Sequence, residues 1–178
     1  MNRDQVLALD RAGLAAALAG GSAIEESSLD DSQYRGISLG LPHLIEALTW
    51  KTFRKTFHRD RTSGRLRGWN VRLAQTGIDG PSVALATFGH YGVVGLGATP
   101  RPCGPGLLID YSAGTRGPMG RLRDPIVAVN RGSVELLLGW SYLELGVWQV
   151  PTPSYFLLVR EGPLESSEIS QSPTQSAR

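Results

Sequence analysis

A mainly β, antiparallel domain closed on itself is the fold this sequence predicts, and three observations predict it. Short apolar runs follow one another at close spacing. Glycine and proline, 22 and 11 of the 178 residues, punctuate them. Between the runs no stretch has the length and period of a crossover helix, which parallel strands would need. Many antiparallel strands in one sheet leave edges to protect, and closure into a barrel removes them. A two-sheet sandwich is the alternative.

Residues 3 to 19 read as a helix: Leu7, Leu14 and Leu18 recur at helical spacing, Asp10 and Arg11 lie off that face, and Gly20-Gly21 ends it. The apolar core Leu14–Ala19 resembles that of a signal peptide but is short and follows Asp4, Asp10 and Arg11, so the segment reads as a cytoplasmic amphipathic helix. An acidic linker completes a first unit, 1–32. The β domain spans 33–162, and a Ser-, Gln- and Pro-rich tail, 163–178, is expected to be disordered.

Within the β domain, Tyr34 to Leu39 is the first strand, with Gly36 inside it. Gly40-Leu41-Pro42 turns the chain into a short helix through Trp50. The next segment alternates, with Thr52, Arg54, Thr56 and His58 on one side and Lys51, Phe53, Lys55 and Phe57 on the other. After the polar turn 59–64, Trp69, Val71 and Leu73 share a face. Val83 to Val94 carries Gly89 and Gly92 and reads as a bent strand. Further strands are expected at 107–111, 126–129, 135–143, 147–150 and 155–160, which makes eight or nine in all.

Composition excludes several functions. A net charge of +2 does not suggest a dedicated nucleic-acid binder. Arg54, Lys55, Arg59, Arg61, Arg65 and Arg67, interleaved with Phe53, Phe57 and Trp69, make one locally basic hairpin, but solvated hairpins have the same composition. The single cysteine, Cys103, forms no internal disulfide and no cysteine-based zinc site, and it reads as an inert loop residue. No apolar run approaches the roughly 20 residues of a membrane-spanning helix. Phosphate-loop, dinucleotide, zinc-protease and nucleophile-elbow motifs are all absent.

The candidate chemistry is therefore sparse. His90 shares a strand face with Phe88; turned inward, it would serve as an acid/base group or as a haem ligand, and turned outward, as an ordinary hydrogen-bonded histidine. Asp110 and Tyr111 end the run Leu107-Leu108-Ile109 on opposite faces. If Asp110 is interior, it is a carboxylate in apolar surroundings; if it is exterior, Tyr111 lines the cavity. Trp69, Phe88, His90, Tyr111, Trp140 and Tyr155 are the candidate ligand-lining residues, and His90, Asp110 and Tyr111 the candidate catalytic ones. No metal site and no definite cofactor are indicated.

Tyr34-Arg35-Gly36-Ile37-Ser38-Leu39-Gly40-Leu41-Pro42, followed by Leu44–Phe53 with Trp50-Lys51-Thr52-Phe53, resembles the bacterial GxWxG domain. The later segments Asp124-Pro125-Ile126, Leu138-Gly139 and Phe156-Leu157-Leu158-Val159-Arg160 resemble its C-terminal companion domain of unknown function. Tyr34 stands where that family has Trp, Gln33 where it has its first Gly, and residues 112–123 read as an insertion. The resemblance implies a small lipocalin-like, or calycin-like, barrel related to nitrobindin, with a short helix plugging one end after the first strand. It implies no established activity. On such a barrel three functions are open: binding of a small, mostly apolar ligand inside; an acid/base enzyme (cyclase, isomerase or hydrolase) on the same interior; or an interaction protein with a filled core that docks a partner through its N-terminal helix.

Overall fold

A computed structural model describes residues 1–40 and 51–164. The expected helix through Trp50 and all but the first two residues of the expected disordered tail lie outside the described residues. Eight strands run β1 (Ser32–Leu39), β2 (Thr52–Arg59), β3 (Leu66–Leu73), β4 (Ala84–Gly95), β5 (Leu107–Asp110), β6 (Leu122–Asn130), β7 (Ser133–Leu145) and β8 (Trp148–Pro163). Each pairs antiparallel with the next, and β8 pairs with β1, so the sheet is a closed barrel with a lipocalin-like layout. The two runs expected at 147–150 and 155–160 are one continuous strand, β8, because Pro151 and Pro153 are accommodated in its pairing with β7.

Closure sorts side chains by the period of two. Tyr34, Phe57, Leu66, Tyr91, Val93, Leu107, Ile109, Ile126, Leu137, Phe156 and Leu158, drawn from all eight strands, form one cluster and fill much of the interior. The alternate residues of β1, β6, β7 and β8, namely Ile37, Leu39, Val127, Leu136, Leu138, Trp140, Tyr142, Tyr155 and Leu157, form a second cluster on the outer wall.

That outer patch is what the N-terminus covers. The expected single helix is two, α1 (Arg3–Leu7) and α2 (Arg11–Ala19). The break falls at Asp10, whose carboxylate accepts the Gly13 amide at 2.8 Å and caps the start of α2. Val6, Leu14 and Leu18 are buried against the outer cluster. The apolar face of the N-terminal helices is therefore spent on the barrel's own wall, which removes it as the expected partner-docking surface. Residues of the acidic linker form a short 3₁₀ turn, Glu26–Leu29, that sends Leu29 into the interior cluster.

Two glycine positions shape the interior. A Cβ on Gly36 would lie 2.3 Å from the Phe53 ring, and one on Gly139 would lie 2.2 Å from the Phe156 ring. Each phenylalanine thus lies flat over a glycine of a neighbouring strand, and the two rings meet edge to face at 6.2 Å.

Candidate functional site: a buried lysine cluster inside the barrel

The inward face of β2 carries Phe53, Lys55 and Phe57. Lys55 is therefore inside the barrel, and its side chain is 2% exposed. Its Nζ donates to Asn70 Oδ1 at 3.0 Å, to Asp124 Oδ2 at 3.2 Å and to the Tyr111 hydroxyl. Tyr111 in turn donates to Asp124 Oδ2 at 3.2 Å, and Ser141 Oγ donates to Asp124 Oδ1 at 2.7 Å. Aromatic rings close around the amine: Tyr91 and Tyr111 with centroids at 5.0 Å, Phe156 at 5.3 Å and Phe53 at 5.8 Å.

A local device places each member. Asn70 is held by a bulge: the β3–β4 register shifts between Gly68 and Asn70, and Gly89 opposite has φ +56°. The Gly89 carbonyl accepts Asn70 Nδ2 at 3.2 Å, and a Cβ on Gly89 would come within 2.7 Å of that nitrogen. The expected bend at Gly89 is thus the feature that lets Asn70 reach the cluster. Tyr111 follows β5 on a 3₁₀ turn, Tyr111–Ala113, which Asp110 caps by accepting the Ser112 amide at 2.8 Å. Asp124 and Ser141 face each other from β6 and β7.

Burial dominates the electrostatics. It holds the Lys55 amine below the ordinary lysine value, against the opposing pull of the Asp124 carboxylate. Burial first, then the Asp124 charge, pushes the Tyr111 and Tyr91 phenols well above theirs. The cluster therefore holds a lysine drawn toward its neutral form, a phenol that keeps its proton, and a carboxylate in contact with both. Such a set can bind a polar handle, or give and take a proton.

Of the candidates read from sequence, Tyr111 is in this cluster and Asp110 is not. Asp110 faces outward and pairs with Arg123 at 3.1 Å, so the second of the two arrangements considered for this strand end holds. His90 is also outward, half-buried on β4; the Trp69 ring is 6.3 Å away. Burial and the nearby Arg67 hold its imidazole below the usual value. Trp69, His90, Asp60 and Arg67 line a pocket of about 1100 Å³ whose wall also includes Leu66, Tyr91 and Val93 of the interior cluster. His90 therefore lies away from the Lys55 cluster, on the face of β4 opposite to Tyr91. Trp140 and Tyr155 belong to the outer wall packed under the N-terminal helices, and Phe88, half-buried, pairs with Asn70 and so shares its inward face rather than that of His90. The expected lining set is corrected accordingly: of its six residues, Tyr111 is the one that joins the interior cluster. Alternation groups His90 with Phe88, but the one-residue shift in β4 between Tyr91 and Phe88 puts the two on opposite faces, and closure puts the faces of Trp69, Trp140 and Tyr155 outside.

Asn70 and Ser141 are not singled out by the sequence; Lys55 reads there as part of the basic hairpin and Asp124, flanked by Arg121 and Arg123, as a turn or local ion pair, whereas its partner is Lys55. The available signal was Lys55 between Phe53 and Phe57 on one face of a strand, an odd place for a solvated lysine. The basic hairpin that hid it is mostly ion-paired. Arg54 meets Glu161 at 3.1 Å, Arg59 meets Glu26 at 2.6 Å and Asp30 at 2.8 Å, and Arg67 meets Asp60 at 3.2 Å. Burial pushes the Cys103 thiol up to about 11, which keeps it an unreactive thiol near neutral pH. No described helix is long and apolar enough to cross a membrane.

Fold and site together define a closed, eight-stranded antiparallel barrel with a polar, ionisable cluster in its interior. The chain matches no protein-family model, no curated protein and no solved structure.

Proposed function

We propose that this protein binds a small, mostly apolar molecule inside the barrel and that the Lys55–Tyr111–Asp124 cluster receives the ligand's polar handle. The observation that carries this reading is an ion pair buried to 2% and 3% exposure among aromatic rings. Well-packed apolar residues of the same volume often stabilise a core as well or better, so stability alone does not account for such a pair. Aromatic walls with a few convergent polar groups are the usual composition of a small-molecule site.

The test is titration followed by native mass spectrometry with fatty acids, aromatic ketones and terpenoid alcohols. Saturable one-to-one complexes are expected, weakened about tenfold or more by Lys55→Met, the loss of one charge-assisted hydrogen bond. Absence of saturable binding across the panel overturns the reading. Intrinsic tryptophan emission is a poor reporter here, because Trp69 and Trp140 lie on the outer wall.

An enzyme on the same site is the second reading, favoured by the Tyr111 hydroxyl bridging Lys55 Nζ and Asp124 Oδ2. A bound ketone would then exchange hydrogen next to its carbonyl with deuterated solvent, and Tyr111→Phe would slow the exchange without abolishing binding. No deuterium uptake by any bound ketone counts against catalysis.

A further inference from the structure

The chain contains 18 cationic Lys and Arg side chains, of which only Lys51 and Lys55 are lysines. Arginine serves nearly everywhere that this protein needs a cation, including every arginine ion pair described above. Arginine is also the better partner for a carboxylate, since its planar fork matches both oxygens. At position 55, on the inner wall, the chain nevertheless carries lysine. What lysine offers and arginine does not is a primary amine that can lose its proton and act as a nucleophile.

The neighbours suit that use. Tyr111 Oη is within hydrogen-bond reach of Nζ, and Asp124 Oδ2 lies 3.2 Å from both groups. The rings of Phe53, Phe156, Tyr91 and Tyr111 exclude water from the amine. We propose that Lys55 is an imine-forming lysine that captures the carbonyl carbon of an aldehyde or ketone ligand, with Tyr111 and Asp124 handling the protons. The inference rests on the interior ligand site proposed above and names its ligand class.

The chemistry balances within the site. The Lys55 ammonium first gives one proton, by way of Asp124, to solvent; the freed Nζ lone pair then forms a bond to the carbonyl carbon, while the carbonyl oxygen takes the Tyr111 proton. The proton released from nitrogen passes to Asp124 and is returned to Tyr111. In the second half that oxygen leaves as water, taking another proton from Tyr111, and nitrogen gives up its second proton to restore the phenol. The net change is amine plus carbonyl to imine plus water, with no oxidant or reductant. Asp124 is placed to pair with the imine when it is protonated, as it pairs with the ammonium now. An aldehyde with a linear or aromatic apolar tail fits the surrounding rings.

The experiment uses the intact chain with hexanal or benzaldehyde and sodium cyanoborohydride at neutral pH, followed by peptide mapping. The competing amines are only Lys51 and the N-terminus. Lys55 is expected to carry the reduced adduct, formed several-fold faster than at Lys51, because an amine desolvated among aromatic rings is held toward its neutral, nucleophilic form. Lys51→Arg should leave the Lys55 adduct intact, and Lys55→Arg should lose it. Because the site is mapped on the wild-type chain, the result stands even if Lys55→Arg folds poorly. An adduct confined to Lys51 and Met1, with Lys55 alkylated only after denaturation, overturns the proposal. If the same aldehydes bind saturably without a Lys55 adduct, imine formation fails and the ligand site survives; if they neither bind nor react, both fail.

Discussion

Arg54 and Lys55 are neighbours on β2 and face opposite sides of one wall. Arg54 points outward, where it and Arg35 share Glu161 with side-chain exposures of 11%, 16% and 20%. Lys55 points inward to Asp124, at 2% and 3%. The outer cluster keeps contact with water, so its desolvation cost and its net contribution are both small. The inner pair has given up its water, and each charge depends on the other and on the Tyr111, Asn70 and Ser141 hydrogen bonds. A cation on the outer wall is thus a modest fastening between strands, whereas a cation on the inner wall commits its whole surroundings.

The sharpest way to break this contrast is Asp124→Ala, which strands the Lys55 amine in the barrel. Urea unfolding should show a loss of about 3–5 kcal/mol. The double variant Lys55→Met with Asp124→Leu should recover most of it; a double as unstable as the single would show that the cavity, not the charge, is decisive. The same pair sets a pH dependence. Because the folded Lys55 value is lowered, the folded protein holds fewer protons than the unfolded chain between that value and the unfolded lysine value. Stability contributed by Lys55 therefore rises with pH through that window and is lost as pH falls through the folded value. Wild type should gain urea resistance relative to Lys55→Met as the pH rises toward the ordinary lysine value, and parallel curves would refute it.

Next in size is Gly139→Val, which puts a side chain where the Phe156 ring lies, 2.2 Å from the new Cβ. Overpacking should cost about 1–3 kcal/mol in thermal or urea unfolding, and Phe156→Leu in the same chain should relieve part of it. The smallest effect belongs to the outer wall. Glu161→Gln should cost about 1 kcal/mol or less, shrinking further in high salt. A loss as large as that of Asp124→Ala would erase the distinction between the two walls.

Much of the architecture was legible locally. The strand count, the antiparallel arrangement, the bend at Gly89 and the grouping of Phe53, Lys55 and Phe57 on one face all follow from period-two alternation and turn residues, which neighbouring residues decide among themselves. The site was not legible in the same way. Lys55 and Asp124 are 69 residues apart in sequence, and Asn70, Tyr111 and Ser141 come from other parts of the chain. His90 and Asp110 looked like chemistry because of what they are, while Lys55 looked like part of a basic hairpin.

What the sequence by itself determined is which side chains travel together along an unbroken strand, because alternation is a property of the extended backbone; the bulge in β4 breaks it between Phe88 and His90. Which face of each strand became the inside was decided only by tertiary structure. The pairing of β8 with β1 closes the sheet, and the N-terminal helices need the outer faces of β1, β6, β7 and β8 for their own apolar residues. Once that outer patch was committed to α1 and α2, Trp140 and Tyr155 went with it. Lys55 and Tyr111 were left facing Asp124 across the interior.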